Sequence, residues 1–226
     1  MKAVNMKHRL FLLFSLCILI NTASVSAFDE SDSSEMEEIL LISAYDGDIK
    51  KVKDLISKGI NINAKGGNDE TPLLAAVNSG KMDVTALLLA YGANIEDKNY
   101  QGSTPLIIAS QYGHSHITAM LIEMGADITA RDFNGYDPLM IAAARGHNLV
   151  VRQLLAFGAD SALTNKHGNT ALILAMYDGH VSVVKTLLKK GNKKQLSITN
   201  KLGLTPLEFA KGLNNPVMTR LLKDAK

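Results

Sequence analysis

The 226-residue chain contains no tryptophan and one cysteine, and aromatic residues make up only 5% of it. A lone thiol builds neither an intramolecular disulfide framework nor a cysteine-ligated zinc cage. Stability must therefore come from packing. Charge is nearly balanced, at +2 with the histidines neutral, which is too little to draw the chain onto nucleic acid. No apolar run reaches the ~20 residues that span a bilayer as a helix. The longest, "LFLLFSLCILI" at residues 10–20, is about half that length.

The setting of that run is informative. Lys2, Lys7 and Arg9 precede it, and "NTASVSA" follows, ending in Val25-Ser26-Ala27. Basic, apolar and small residues in this order are those of a secretory signal peptide, expected over residues 1–27 with cleavage after Ala27; an uncleaved anchor or a buried N-terminal helix is the alternative. The residues before Cys17, "FSL", lack the small residue of a lipoprotein cleavage site. Cleavage removes the only cysteine with three bases and leaves a charge of −1. The expected location is periplasmic or secreted, with the membrane met only through the signal peptide. Residues 28–37 read as an acidic linker merging into a first helix, where Ser34 and Glu37 fit a capping box.

Proline is sparse too, five in all, but its placement is regular. "TPLLAAVNSG" starts at Thr71, "TPLIIASQYG" at Thr104, "DPLMIAAARG" at Asp137, "TALILAMYDG" at Thr170 and "TPLEFAKGLN" at Thr205, spaced 33, 33, 33 and 35. Gly59, Gly92, Gly125, Gly158 and Gly191 keep a 33-residue period, as do Gly47, Gly80, Gly113, Gly146 and Gly179. Each column has a mechanical reason. Thr or Asp accepts a bond from a free N–H at a helix start. Proline at the first helical position has no N–H to leave unpaired. Glycine between helices breaks the chain, and glycine after the second helix suits a left-handed terminal residue.

This pattern resembles the ankyrin repeat, with its "TPL…A…G" opening and "GAN" or "GAD" close at 92–94, 125–127 and 158–160. The resemblance covers roughly residues 38–226. It implies an all-α solenoid of about six helix-turn-helix units joined by β-turn or hairpin loops. The units fall near 38–70, 71–103, 104–136, 137–169, 170–204 and 205–226. Terminal units are atypical, as capping units should be. The family usually places histidine two residues after the proline; Leu74, Ile107, Met140, Ile173 and Glu208 stand there instead. The inter-repeat hydrogen bond that such a histidine makes is therefore expected to be absent. Two extra residues within "GNKKQLSITN" should bulge the fifth turn, and Ser161 replaces an apolar residue after "GAD".

Candidate chemistry is thin. His114, His147 and His180 recur 33 apart, but stacked helices lie about 8–10 Å apart and metal bonds are about 2 Å. The resemblance gives such histidines a structural place at the start of the second helix. His114 and His116 form the only close pair, so a metal-dependent enzyme is the weaker alternative. No nucleophile elbow, zinc-helix or phosphate-loop motif occurs. The expectation is no catalytic residues, no metal and no cofactor. Residues 185–226 carry ten Lys and Arg against two acids. That surplus reads either as a soluble cap on the last repeat or as a patch for an acidic partner, an anionic envelope polymer or a membrane surface.

The resemblance further implies a concave surface made of turn tips and first-helix ends. The partner-binding candidates there are Tyr45, Tyr100, Gln101, Tyr112, Phe133, Asn134, Tyr136, Arg145, His167 and Tyr177. Six of the ten rings after residue 27 fall in this set, and tyrosine is enriched at binding hot spots. The rings would either contact a partner or stiffen neighbouring tips. The expected role is a monomeric, non-catalytic module that binds a folded protein of its own compartment and no nucleic acid. It would act as inhibitor or adaptor of an envelope enzyme such as a cell-wall hydrolase; a secreted effector of host proteins is the alternative.

Overall fold

The computed structural model describes residues 30–225, so the expected signal peptide at 1–27 lies outside the described residues. Twelve α-helices are present among them, arranged as six pairs. The pairs are α1 (Glu30–Asp46) with α2 (Ile49–Ser57), α3 (Pro72–Asn78) with α4 (Met82–Ala90), and α5 (Pro105–Tyr112) with α6 (Ser115–Glu123). They continue as α7 (Pro138–Ala144) with α8 (Asn148–Ala156), α9 (Ala171–Tyr177) with α10 (Val181–Lys190), and α11 (Pro206–Gly212) with α12 (Pro216–Asp224). From α3 on, each helix packs on its pair-mate and on its counterparts in adjacent units, and α2 packs on α4, as an all-α repeat solenoid requires. Because α1 begins at Glu30, Ser34 and Glu37 lie inside it and not at its N-cap.

The first helices start as their caps dictate. Thr71, Thr104 and Thr170 accept from Leu74, Ile107 and Ile173 N–H at 3.3–3.4 Å. Asp137 accepts from Met140 N–H at 2.8 Å. Thr205 forms a full capping box, with Glu208 accepting from the Thr205 N–H at 2.8 Å. Leu74, Ile107, Met140 and Ile173 are buried in the core.

Inter-repeat histidine bonds come from a different column, the one that opens the second helices. His114, His147 and His180 place Nε2 at 3.3, 2.9 and 3.0 Å from the carbonyls of Asn78, Gln111 and Ala144. Each thus ties the end of the preceding unit's first helix. Glycine beneath each ring permits this: a Cβ at Gly80, Gly113 or Gly146 would lie 2.8 Å or less from imidazole atoms.

The expectation for Gly191 fails. Gly59, Gly92, Gly125 and Gly158 have φ between +82 and +94, whereas Gly191 has φ −78. The two-residue insertion changes how α10 ends. A short 3-10 turn, Lys193–Leu196, absorbs it, and the buried Gln195 amide donates to the Leu187 carbonyl at 2.8 Å. Ser161 is also more than a weakened contact. It is buried, and its Oγ accepts from Asn192 N–H at 2.8 Å, holding the inserted turn.

Buried apolar side chains form two clusters, Leu40 to Ala126 and Leu139 to Leu222, and Ile122 and Ile128 pack against both. Unit three borders this seam and contains two buried hydroxyls without partners, on Ser110 and Thr118. An unpaired buried hydroxyl costs roughly 1–3 kcal/mol. Val151 and Val184 fill the place of Thr118 in the next two units. Thr118→Val should therefore raise stability by about 1 kcal/mol, read as a higher urea midpoint at unchanged slope.

Candidate protein-binding groove

The turn tips are built by an asparagine and aspartate column that the sequence reading passed over. Asn99, Asp132, Asn165 and Asn200 each stand five residues before a helix cap. Each side-chain oxygen accepts from the N–H groups two and four residues on, at 2.8–3.2 Å. This is the local bonding that makes Asn and Asp turn formers. The signal lies in the spacing, a column set five residues before each cap. Gly66 occupies the place in the first turn, and there Asn68 and Asp69 adopt φ of 61 and 56.

Adjacent tips are then laced by backbone bonds. Tyr100 N–H donates to the Asn68 carbonyl at 2.9 Å, Phe133 to Gln101 at 3.0 Å, Lys166 to Asn134 at 3.2 Å, and Lys201 to His167 at 3.0 Å. A ladder of this kind fixes the Cα–Cβ direction of every tip residue. Side chains carried on it form a platform in place of independent loops.

Two grooves lie where tips meet first helices. One, of about 220 Å³, is lined by Tyr100, Gln101 and Tyr112 together with Asn68, Glu70, Asn78, Asn99, Ser103, Ile108 and Gln111. The other, of about 580 Å³, is lined by Tyr136, His167 and Tyr177 with Ala144, Asn169, Leu174, Asp178, Asn200, Lys201 and Leu202. Six of the ten candidates thus line grooves, three in each. Tyr45, Phe133, Asn134 and Arg145 are exposed but line neither.

The rings do not gather into one cluster. Phe133 is 63% exposed, and one side of its ring lies over Gly102, where a Cβ would meet it at 2.7 Å. Tyr136 is half-buried and packs on the core. Tyr112 stacks on His114 with centroids 6.0 Å apart, and Tyr177 tilts on Phe209 at 4.7 Å. These four rings are therefore supported on one side and part-exposed to solvent. A supported aromatic offers contact area with little entropy to lose.

Electrostatics on this face centre on Asp137, buried beneath the platform. Burial pushes its carboxyl up to about 6, against the bond from Met140 N–H and the nearby Arg131 charge, which favour ionisation. Among the described residues, no group of three His, Cys, Asp or Glu side chains is placed to hold a metal ion. His114 is engaged with the Asn78 carbonyl, while His116 is exposed.

The ankyrin-repeat family model, spanning three copies per match, matches residues 40–132 and 129–200. The chain belongs to the ankyrin repeat family. Such repeats mark a protein–protein interaction module and are typically non-catalytic. No curated protein matches the chain.

Proposed function

We propose that this protein is exported and binds a folded protein of its own compartment through the turn-tip and first-helix face. It acts as a monomer, without catalysis, as inhibitor or adaptor of an envelope enzyme such as a cell-wall hydrolase. The observation that carries the reading is the pair of amide-lined grooves, each holding tyrosines seated on a hydrogen-bonded platform. Amides and phenols satisfy a partner's backbone groups while the rings bury area. Export is supported by the leader order at residues 1–27.

The test is affinity capture from an envelope fraction, with N-terminal sequencing of the purified protein. Tyr100→Ala and Tyr112→Ala should each weaken the captured complex by about 2 kcal/mol, roughly 30-fold, with unchanged thermal melting. Capture of cytosolic proteins alone would sink the compartment reading. Recovery of the processed chain in the medium would replace it with the secreted-effector reading. Equal loss of melting temperature in both variants would assign the rings to packing.

A further inference from the structure

A second surface lies on the outer side of the second helices, remote in sequence from the tips. Arg152 of α8 and Lys185, Lys189 and Lys190 of α10 line a cleft of about 280 Å³ with Asn148 and Thr186. No carboxylate lines it. None of the four cations belongs to an ion pair among the described residues. All four are exposed. A face charged only for solubility mixes both signs. Here one sign is concentrated, and at the same register in units two and three stand Ala86 and Ala119.

The same face exposes large apolar groups. Leu149 is 55% exposed and Phe157 47%. Leu149 and Arg152 are three residues apart on α8, so they share one helix face. Phe157 and Lys190 hold equivalent positions at the ends of α8 and α10. An outward helix face is mostly polar, and neither side chain is among those packed on the two core clusters.

We propose that the outer face of α8 and α10 docks on an anionic phospholipid surface. Phosphate-bearing headgroups suit the cation cleft, and Leu149 and Phe157 enter the boundary between headgroups and acyl chains. Lysine and arginine stems lie along that boundary with their charges at the phosphates. A soluble phosphate satisfies the cleft but leaves the apolar pair in water, which is why the lipid source is favoured. The surface would hold the protein at a membrane while the tip face stays open to its protein partner. It adds a membrane contact beyond the signal peptide expected from the sequence.

The experiment is vesicle co-sedimentation of the chain from residue 28, with the full chain in parallel. The vesicles are phosphatidylcholine with or without phosphatidylglycerol, at low and high salt, with inorganic polyphosphate as the soluble arm. Binding should require phosphatidylglycerol and weaken with salt. Lys185→Glu with Lys189→Glu should lower it at low salt by about 30-fold. Leu149→Ser with Phe157→Ser should lower it at both salts. Both double variants should melt like the parent chain. Equal binding to neutral vesicles overturns the proposal, as does polyphosphate binding without vesicle binding, or vesicle binding unchanged in either double variant.

Discussion

Asp137→Thr should stabilise the protein near neutral pH and lose that advantage in acid. Asp137 is the one carboxylate in a cap column otherwise made of threonine, and it is 3% exposed. Its pKa rises from 3.8 to about 6 because burial disfavours the charged form. Between those values the folded protein binds the proton more tightly than the unfolded chain does. Stability linked to Asp137 is therefore fully present below pH 3.8 and declines as pH rises to about 6. The shift corresponds to at most about 3 kcal/mol. Threonine keeps the cap bond without a charge to bury, as Thr104 and Thr170 do in neighbouring units. The gap between variant and parent should widen by up to about 3 kcal/mol between pH 3.8 and about 6 and stay level above. Other carboxylates titrate over the same range, but they cancel in the difference. Urea unfolding of both proteins across pH measures it; a gap independent of pH would show that the carboxylate is solvated.

The same residue shows how far the sequence was legible. A cap followed by proline announces a helix start whichever side chain does the capping, because both accept the same N–H. The period therefore located all five later first helices and the glycines between the pairs. What a period leaves out is where it is broken or where its members differ. Gly191 keeps the 33-residue spacing, yet its φ is −78 because the insertion just after it supplies a different end for α10. Ser161 reads as a lost apolar contact until the inserted turn is seen to bond to it. The histidine column was legible as structural, but its carbonyl partners lie 36 residues back, a register that helix spacing alone does not specify.

The tip face was legible in membership more than in arrangement. Turn position follows from the cap register, and Tyr100, Tyr112, Tyr136 and Tyr177 line the grooves where tips meet first helices. Their division between two grooves depends on the support beneath each ring, and Phe133 illustrates the point. It occupies a tip like Tyr100, but Gly102 of the preceding turn lets its ring lie down. The outer face of α8 and α10 is not legible as one patch in the sequence. Its three lysines belong to a basic C-terminal section, whereas Arg152 reaches the cleft from the preceding unit.

Gly168→Ala should be far more damaging than Gly179→Ala, although the two backbones are nearly alike. Their φ values are +75 and +73, so both substitutions carry left-handed strain, about 1–2 kcal/mol each. They differ in what a new methyl would meet. At Gly179 nothing lies within 4 Å. At Gly168 the Cβ would stand 2.9 Å from Lys201 N and 3.1 Å from Asn200 Cα. Those atoms are backbone, and Lys201 N–H is the donor that laces the last turn to the His167 carbonyl. The tip cannot yield by rotating a side chain; it must break that bond or shift unit six. Overpacking against an unyielding neighbour adds roughly 1–3 kcal/mol, giving a loss of about 3 kcal/mol for Gly168→Ala against about 1 kcal/mol for Gly179→Ala. Because repeat stacks are stabilised by contacts between neighbours, the damage should start at the C-terminal end. Amide hydrogen exchange should quicken first in α11 and α12 of the Gly168→Ala protein, with units two and three still protected. Equal losses in the two variants, or exchange that quickens uniformly along the stack, would mean that the ladder between His167 and Lys201 does not hold the terminal unit in place.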